Sequence, residues 1–128
     1  MLGASLEETR SAAQAHCGSV RETEYSAELA APYANQTQID CIDYVFGGAP
    51  RKIELLVNDG ALGFLWLMIE PSELDAARAA LRNQYGAPDC VNVGYTGYAA
   101  HGVAVRNEPA EYLVATPSDF AAITGGCG

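Results

Sequence analysis

Basic residues are scarce in this sequence: seven Lys and Arg stand against sixteen Asp and Glu, giving a formal net charge of −9 at pH 7. Binding to nucleic acid or to an anionic membrane surface requires a basic patch, so this charge argues against both. Long apolar runs are also missing, because the run at 62–69 has only the length of a strand. The sequence therefore predicts no nucleic-acid partner and no membrane insertion.

Catalytic and metal-binding motifs are missing as well. The sequence holds no phosphate-binding glycine loop, no H-E-x-x-H, no G-x-S-x-G and no Rossmann glycine pattern. Of its two histidines, His16 adjoins Cys17 on one predicted helix, so the two side chains point in different directions and cannot pair as base and nucleophile. We therefore expect no cofactor and no metal, and we lean towards a protein that is not an enzyme.

No C-x-x-C motif is present, although the chain has four cysteines. They are even in number and widely spaced, which fits two disulfides in an exported protein better than a zinc or thioredoxin-type site. Of the three pairings that four cysteines allow, we favour Cys17–Cys41 and Cys90–Cys127, because the second would hold a glycine-rich tail that otherwise has no reason to be ordered. Four free or buried thiols are the alternative.

The start of the chain bears on its location. Met1-Leu2-Gly3-Ala4 lacks the basic segment followed by an apolar one that begins a signal peptide. It fits either a cytoplasmic protein or a mature exported domain in which an initiator Met replaces the signal. The cysteines favour export, so we predict a periplasmic or secreted location, with the cytoplasm as the alternative.

The length predicts a single domain, 1–128, and hydrophobic residues at 49% are enough to form its core. A capping box of Ser5 and Glu8 begins one helix, and Ser72 begins a second that ends before Gly86. Alternating apolar runs separated by turn residues predict the strands. The predicted class is α+β, an antiparallel sheet with helices on at least one face. The expected order is α-β-β-β-β-α-β-β-β, with a short C-terminal helix as an option.

The best-patterned stretch, 38–70, predicts three consecutive strands joined by two tight turns. Asp59-Gly60 is a strong signal for a two-residue hairpin loop, because that turn needs positive φ at both positions. A second turn at 47–50 would set Tyr44 opposite Ile53. Since side chains alternate across a strand, this register gives one core face. Its members are Ile42, Tyr44, Phe46, Ile53, Leu55, Val57, Leu62, Phe64, Trp66 and Met68.

The opposite face of this ribbon is too apolar for an ordinary solvated surface. It carries Leu56, Leu65, Leu67 and Ile69, with Asp43, Lys52 and Glu54 as charged neighbours. An apolar centre with a charged rim is how protein interfaces are commonly built. We therefore predict that these seven residues bind a protein partner or a second copy of the chain. A covering helix of the same chain is the alternative.

Two other functions remain open from the sequence. A small-ligand site is one of them, and its candidate residues are Tyr33, Tyr95, Tyr98 and His101. An unrecognised enzyme is the other, because the predicted register sets Asp43 opposite Glu54, and a carboxylate pair can perform acid–base chemistry. Convergence of the three tyrosines and His101 in one cleft would support the ligand site. Convergence of the two carboxylates in a cleft would support the enzyme.

Three short phrases resemble a known group of proteins: 2–8 (LGASLEE), the helix that ends at Gly18, and 85–88 (YGAP). They look like phrases of small exported bacterial domains, namely the beta-lactamase inhibitor protein and outer-membrane assembly lipoproteins of the SmpA/OmlA kind. The resemblance implies a helix packed on one face of an antiparallel sheet whose other face meets a partner. It assigns no functional residue.

The cysteine pairing can be tested directly on the native protein. Non-reducing mass spectrometry should find no alkylatable thiol and two linked peptide pairs, one joining Cys17 to Cys41 and the other Cys90 to Cys127. Four alkylatable thiols would contradict both the disulfides and the predicted export.

Overall fold

The protein belongs to the α+β class, as predicted. A computed structural model describes residues 1–127. It contains eight strands and four α-helices, and its strand pairings are antiparallel. The chain divides into two compact units, residues 1–65 and the residues from 66 onward. The single domain expected from chain length stays a prediction.

The first unit packs one long helix against an antiparallel sheet in the order β1-β2-β3-β4. Strand β4 begins in this unit and ends in the second. Its elements are α1 (Leu6–His16), β1 (Ser19–Tyr25), α2 (Ala27–Ala30), β2 (Gln36–Phe46), β3 (Ala49–Asn58) and β4 (Ala61–Met68). The one-turn helix α2 lies in the connection between β1 and β2.

Helix α1 is fixed at both of its ends. Its predicted capping box is confirmed: the Ser5 hydroxyl accepts from the Glu8 backbone N–H at 3.1 Å, and the Ser5 backbone N–H donates to the Glu8 carboxylate at 2.9 Å. Ser5 also forms a β-bridge with Ala61, and the predicted disulfide joins Cys17 to Cys41 on β2. The helix is therefore held against the sheet at two separate points.

Both hairpin turns of the first unit are two-residue loops. Asp59 and Gly60 have φ of 49° and 85°, the left-handed values that the predicted turn requires. Gly47 and Gly48 have φ of 61° and 77° and form the other loop by themselves. The predicted four-residue turn at 47–50 is therefore wrong, because β3 already begins at Ala49.

A bulge in β2 then shifts the register a second time. Tyr44 lies opposite Arg51 and Cys41 lies opposite Ile53, so two residues of β2, Ile42 and Asp43, stand opposite one residue of β3. Within the bulge Asp43 adopts a left-handed φ of 59°. The predicted pairing of Tyr44 with Ile53 is wrong because the loop has two residues instead of four, and the bulge then shifts the pairing of 36–41 by one more residue.

The second unit has helices on both faces of its strands, which follow the order β8-β7-β6-β5. Its elements are a 3₁₀ turn (Pro71–Glu73), α3 (Leu74–Tyr85), β5 (Cys90–Val91), β6 (Tyr95–Tyr98), a 3₁₀ turn (Ala99–His101), β7 (Val103–Arg106), β8 (Glu111–Ala115) and α4 (Pro117–Thr124). The expected order has three strands after the second helix, whereas the structure has four, because β5 and β6 are separate. The short C-terminal helix is present as α4.

In the second unit, each face of the strands is covered by its own helix. On one face, Ala77 and Leu81 of α3 form a buried cluster with Tyr98 and Val105. On the other, Phe120 of α4 is buried, and its ring lies close to Gly97. Alternation along β6 puts Gly97 and Tyr98 on opposite faces, so the strands of this unit are enclosed on both sides.

The end of the chain is held by the second predicted disulfide, between Cys90 and Cys127. Asn92 reinforces this link, because its side-chain amide donates to the Thr124 carbonyl at 3.0 Å. The same side chain accepts hydrogen bonds from the backbone of Gly94 and Tyr95. Both disulfides therefore have the pairing expected from the sequence.

The contact at Gly97 predicts a stability difference between two glycines. A Cβ at Gly97 would lie 2.8 Å from the Ala104 Cβ and 3.1 Å from the Phe120 ring, whereas at Gly94 the nearest atom would be 3.8 Å away. Gly97→Ala should therefore lower the free energy of unfolding by about 1–3 kcal/mol through overpacking. Gly94→Ala is the control and should change it by no more than about 0.5 kcal/mol. Urea denaturation measures both, and equal effects would contradict the packing described for α4.

Candidate functional site

The apolar residues predicted to bind a protein do not form an exposed surface. Leu56 and Leu67 are buried, with 5% and 6% of their surface exposed. Leu65 lines a groove of the first unit together with Leu62, and Ile69 packs against the α3 cluster of the second unit. The four residues therefore do not form the predicted surface, since Leu56 and Leu67 are buried, Ile69 packs within the second unit and Leu65 lines the groove. Protein binding itself stays a prediction.

The charged residues predicted beside that surface are separated by the bulge. Lys52 and Glu54 share one side of β3 with Leu56, as strand alternation requires. Asp43 lies in the bulge and is exposed, and the position opposite Glu54 is occupied by Asp40. The predicted carboxylate pair of Asp43 and Glu54 is therefore wrong. The only sequence signal for the bulge is that Asp tolerates positive φ better than most residues.

Asp40 is the centre of a polar cluster on this side of the first sheet. Its side chain is 4% exposed and accepts hydrogen bonds from Gln38 at 2.9 Å and from Arg21 at 3.2 Å. The Lys52 ammonium lies 3.9 Å from Asp40 and 3.1 Å from Glu54. Two carboxylates and two cations thus neutralise one another around a buried acid, an arrangement that fits a structural network.

A depression of about 330 Å³ opens beside this cluster. Ser19, Arg21, Asp40, Ile42 and Lys52 line it. The cations that border the depression are already bound to Asp40, so their charge is largely compensated. This geometry gives little support to acid–base catalysis by the carboxylates.

The residues predicted to bind a small ligand do not converge. Tyr98 is buried, and its hydroxyl donates to a backbone carbonyl at the end of α3 at 2.8 Å. Tyr95 lies three positions earlier on the same unbroken strand, so it faces the other side of the sheet. His101 stacks on Tyr85 with ring centres 4.1 Å apart, and Tyr33 belongs to the first unit. Tyr98 and His101 hold the β6–β7 connection against α3.

An apolar groove runs between α1 and the sheet of the first unit, with a volume of about 210 Å³. Its sheet side is lined by Cys41, Tyr44, Ile53, Leu55, Leu62 and Leu65. Its helix side is lined by Thr9, Ala12, Ala13, His16 and Cys17. Because α1 presents alanines where longer apolar side chains would fill the space, the groove stays open beside the helix.

A carboxylate borders this apolar groove. Glu8 belongs to its lining, and the hydrogen bond from the Ser5 backbone N–H, together with that from the Ser5 side chain, lowers the pKa of the Glu8 carboxyl. The carboxylate is therefore charged at neutral pH. An apolar centre thus lies next to a fixed negative charge.

The apolar surface continues from the groove to the tip of the β2–β3 hairpin. Tyr44 lines the groove, and Phe46 lies two positions further on the same side of β2, with 42% of its surface exposed. Met1 also lines the groove and is 94% exposed. The signal for this site in the sequence is the set of small residues on α1, among them Ala12 and Ala13.

Metal binding and membrane spanning find no support in residues 1–127. Within that range no group of three or more His, Cys, Asp or Glu side chains is placed to hold a metal ion. No helix there has both the length and the apolar character needed to cross a membrane.

Comparisons with known proteins do not assign the chain to a family. No family model, no curated protein and no solved structure matches the chain. The resemblance to small exported bacterial domains therefore stays a prediction from short phrases.

The polar cluster predicts a clear difference between two aspartates. Asp40→Ala should destabilise the protein by about 1–3 kcal/mol, because it removes the buried carboxylate that accepts from Gln38 and Arg21 and lies beside Lys52. Asp75→Ala is the matched control, since the Asp75 side chain is fully exposed and pairs only within its helix. It should leave the urea midpoint unchanged. A midpoint that moves equally in both variants would contradict the role given to Asp40.

Proposed function

We propose that this protein is a non-enzymatic, exported bacterial domain that binds a protein partner through the groove beside α1. The observation that carries this proposal is the open apolar groove, which continues to the exposed aromatic tip of the β2–β3 hairpin. An apolar centre bordered by a charged group is the usual composition of a protein interface. The surface therefore differs from the one expected from the sequence, while the function is the same.

The size of the groove favours a protein partner over a small molecule. Its volume of about 210 Å³ is below the roughly 300 Å³ at which ligand pockets begin. A groove of this size accepts one or two apolar side chains, and further contact would come from Tyr44 and Phe46 on the hairpin. Anchoring side chains of this kind supply most of the affinity in many interfaces.

The groove is also rigid, because both ends of α1 are held. The β-bridge between Ser5 and Ala61 fixes one end and the Cys17–Cys41 disulfide fixes the other. A site that is already ordered loses less conformational entropy when a partner binds. This preorganisation supports binding as the role of the groove.

Export is supported by the two disulfides, which persist in oxidising compartments such as the periplasm or the exterior of the cell. The net charge of −9 favours solubility there. The phrases that resemble small exported bacterial domains point in the same direction.

Two exposed alanines on α1 provide the test of the groove. Ala12 lines the groove and Ala15 does not, although both are exposed on the same helix. Ala12→Trp should fill the groove and weaken partner binding about tenfold or more, whereas Ala15→Trp should leave it unchanged. The partner is captured from the exported protein fraction of the source cells, identified by mass spectrometry and titrated by calorimetry against each variant.

The two tryptophan variants have the same change in helix propensity, so thermal unfolding should show that both keep the fold. A partner that binds Ala12→Trp as tightly as the unchanged protein would refute the groove as the binding site. A catalytic turnover that depends on Asp40 and Glu54 would refute the non-enzymatic function.

A further inference from the structure

Strand β1 is an open edge of the first sheet. It runs for seven residues, Ser19–Tyr25, and pairs with β2 on one side in unbroken antiparallel register. In the sheet order it is the terminal strand. It contains neither Pro nor Gly, and five of its seven residues are exposed. A regular edge of this kind presents one row of backbone N–H and C=O groups that no neighbouring strand uses.

The charges beside this edge are mostly negative. The Arg10 guanidinium of α1 binds Glu22, and its pKa is raised by Glu22 and also by Glu7 and Glu24 nearby. Arg10 contacts Glu22, and Glu7 and Glu24 add two further negative charges nearby, so negative charge is in excess next to β1. Arg21 faces the other side of the sheet, where it binds Asp40.

These charges oppose pairing of β1 with a second copy of itself. Two such edges that meet antiparallel in one continuous sheet place residues of the same face opposite each other. A register centred on Glu22 sets that residue against itself, and one centred on Thr23 sets Glu22 against Glu24. A register centred on Arg21 sets two guanidinium groups together. Every register that pairs most of the strand thus contains a like-charge pair.

We propose that the β1 edge accepts an extended segment of a protein partner that carries Lys or Arg at alternate positions. The segment would add a strand to the sheet through main-chain hydrogen bonds, which is a common mode of peptide recognition. Its cations would lie opposite Glu22 and Glu24, which share one face because they are two residues apart. The net charge of −9 would accelerate the encounter with a basic segment.

This surface is separate from the groove beside α1, since none of the β1 residues lines that groove. The edge and the groove can therefore be tested independently. If one of the two proposed binding sites is refuted, the other is unaffected.

The experiment uses the disulfide-intact protein and a blocked peptide, Ac-VTKVKTV-NH2, as the probe. Hydrogen exchange should show amide protection that increases several-fold within 19–25 when the peptide is added. Calorimetry should show that a peptide with Glu in place of both Lys binds about tenfold more weakly or not at all, because it brings like charges together. Ala12→Trp should bind the probe as the unchanged protein does.

Backbone methylation separates strand addition from simple charge attraction. Alternate amides of an extended peptide point to opposite sides, so N-methylation of one alternate set should abolish binding while methylation of the other set should not. Equal binding of the two methylated peptides would overturn the proposal. Absence of binding by the unmodified Lys peptide at millimolar concentration would overturn it as well.

A matched pair of charge reversals locates the site. Glu24→Lys should weaken binding of the Lys peptide about fivefold, because the new charge lies opposite a cation of the peptide. Glu28→Lys makes the same change at an exposed position outside β1 and should have no more than a slight effect. Equal losses in both variants, or protection outside 19–25, would show non-specific attraction and refute the edge site.

Discussion

The bulge between Cys41 and Tyr44 determines which side of the first sheet each residue of β2 faces. Its left-handed residue, Asp43, inserts one extra position into the ladder, so the alternation reverses there. Cys41 consequently faces α1 and reaches Cys17, while Asp40 faces the opposite side and collects the polar cluster. Without the bulge neither arrangement would form.

The same reversal gives the first unit two unlike sides. On the α1 side, small helix residues leave an apolar groove that remains open because the helix is fixed at both ends. On the other side, Asp40 is buried and its charge is compensated by Arg21 and Lys52. Burial of an acid is costly unless it is paired in this way. The polar side is therefore suited to stability and the apolar side to recognition.

In the second unit, both faces of the strands are covered by helices. Helices α3 and α4 enclose the two faces of its sheet, and Gly97 allows Phe120 to approach closely. The Cys90–Cys127 disulfide and the hydrogen bonds of Asn92 hold the end of the chain. This unit has the character of a scaffold, and the recognition surfaces proposed for the protein lie in the first unit.

Sequence alone determined the features that depend on residues close together in the chain: the capping box at Ser5, the Asp59-Gly60 turn and most helix and strand positions. The disulfide pairing was also predicted, because four cysteines allow three pairings and this one holds the glycine-rich tail. Only the tertiary structure decided the register of β2 and β3, because the sequence shows no sign of the bulge other than Asp43. It also decided which apolar residues are enclosed, because that depends on helices distant in sequence. The groove could not be predicted, because a cavity is space that the side chains of several packed elements leave unfilled, and that packing is known only from the tertiary structure.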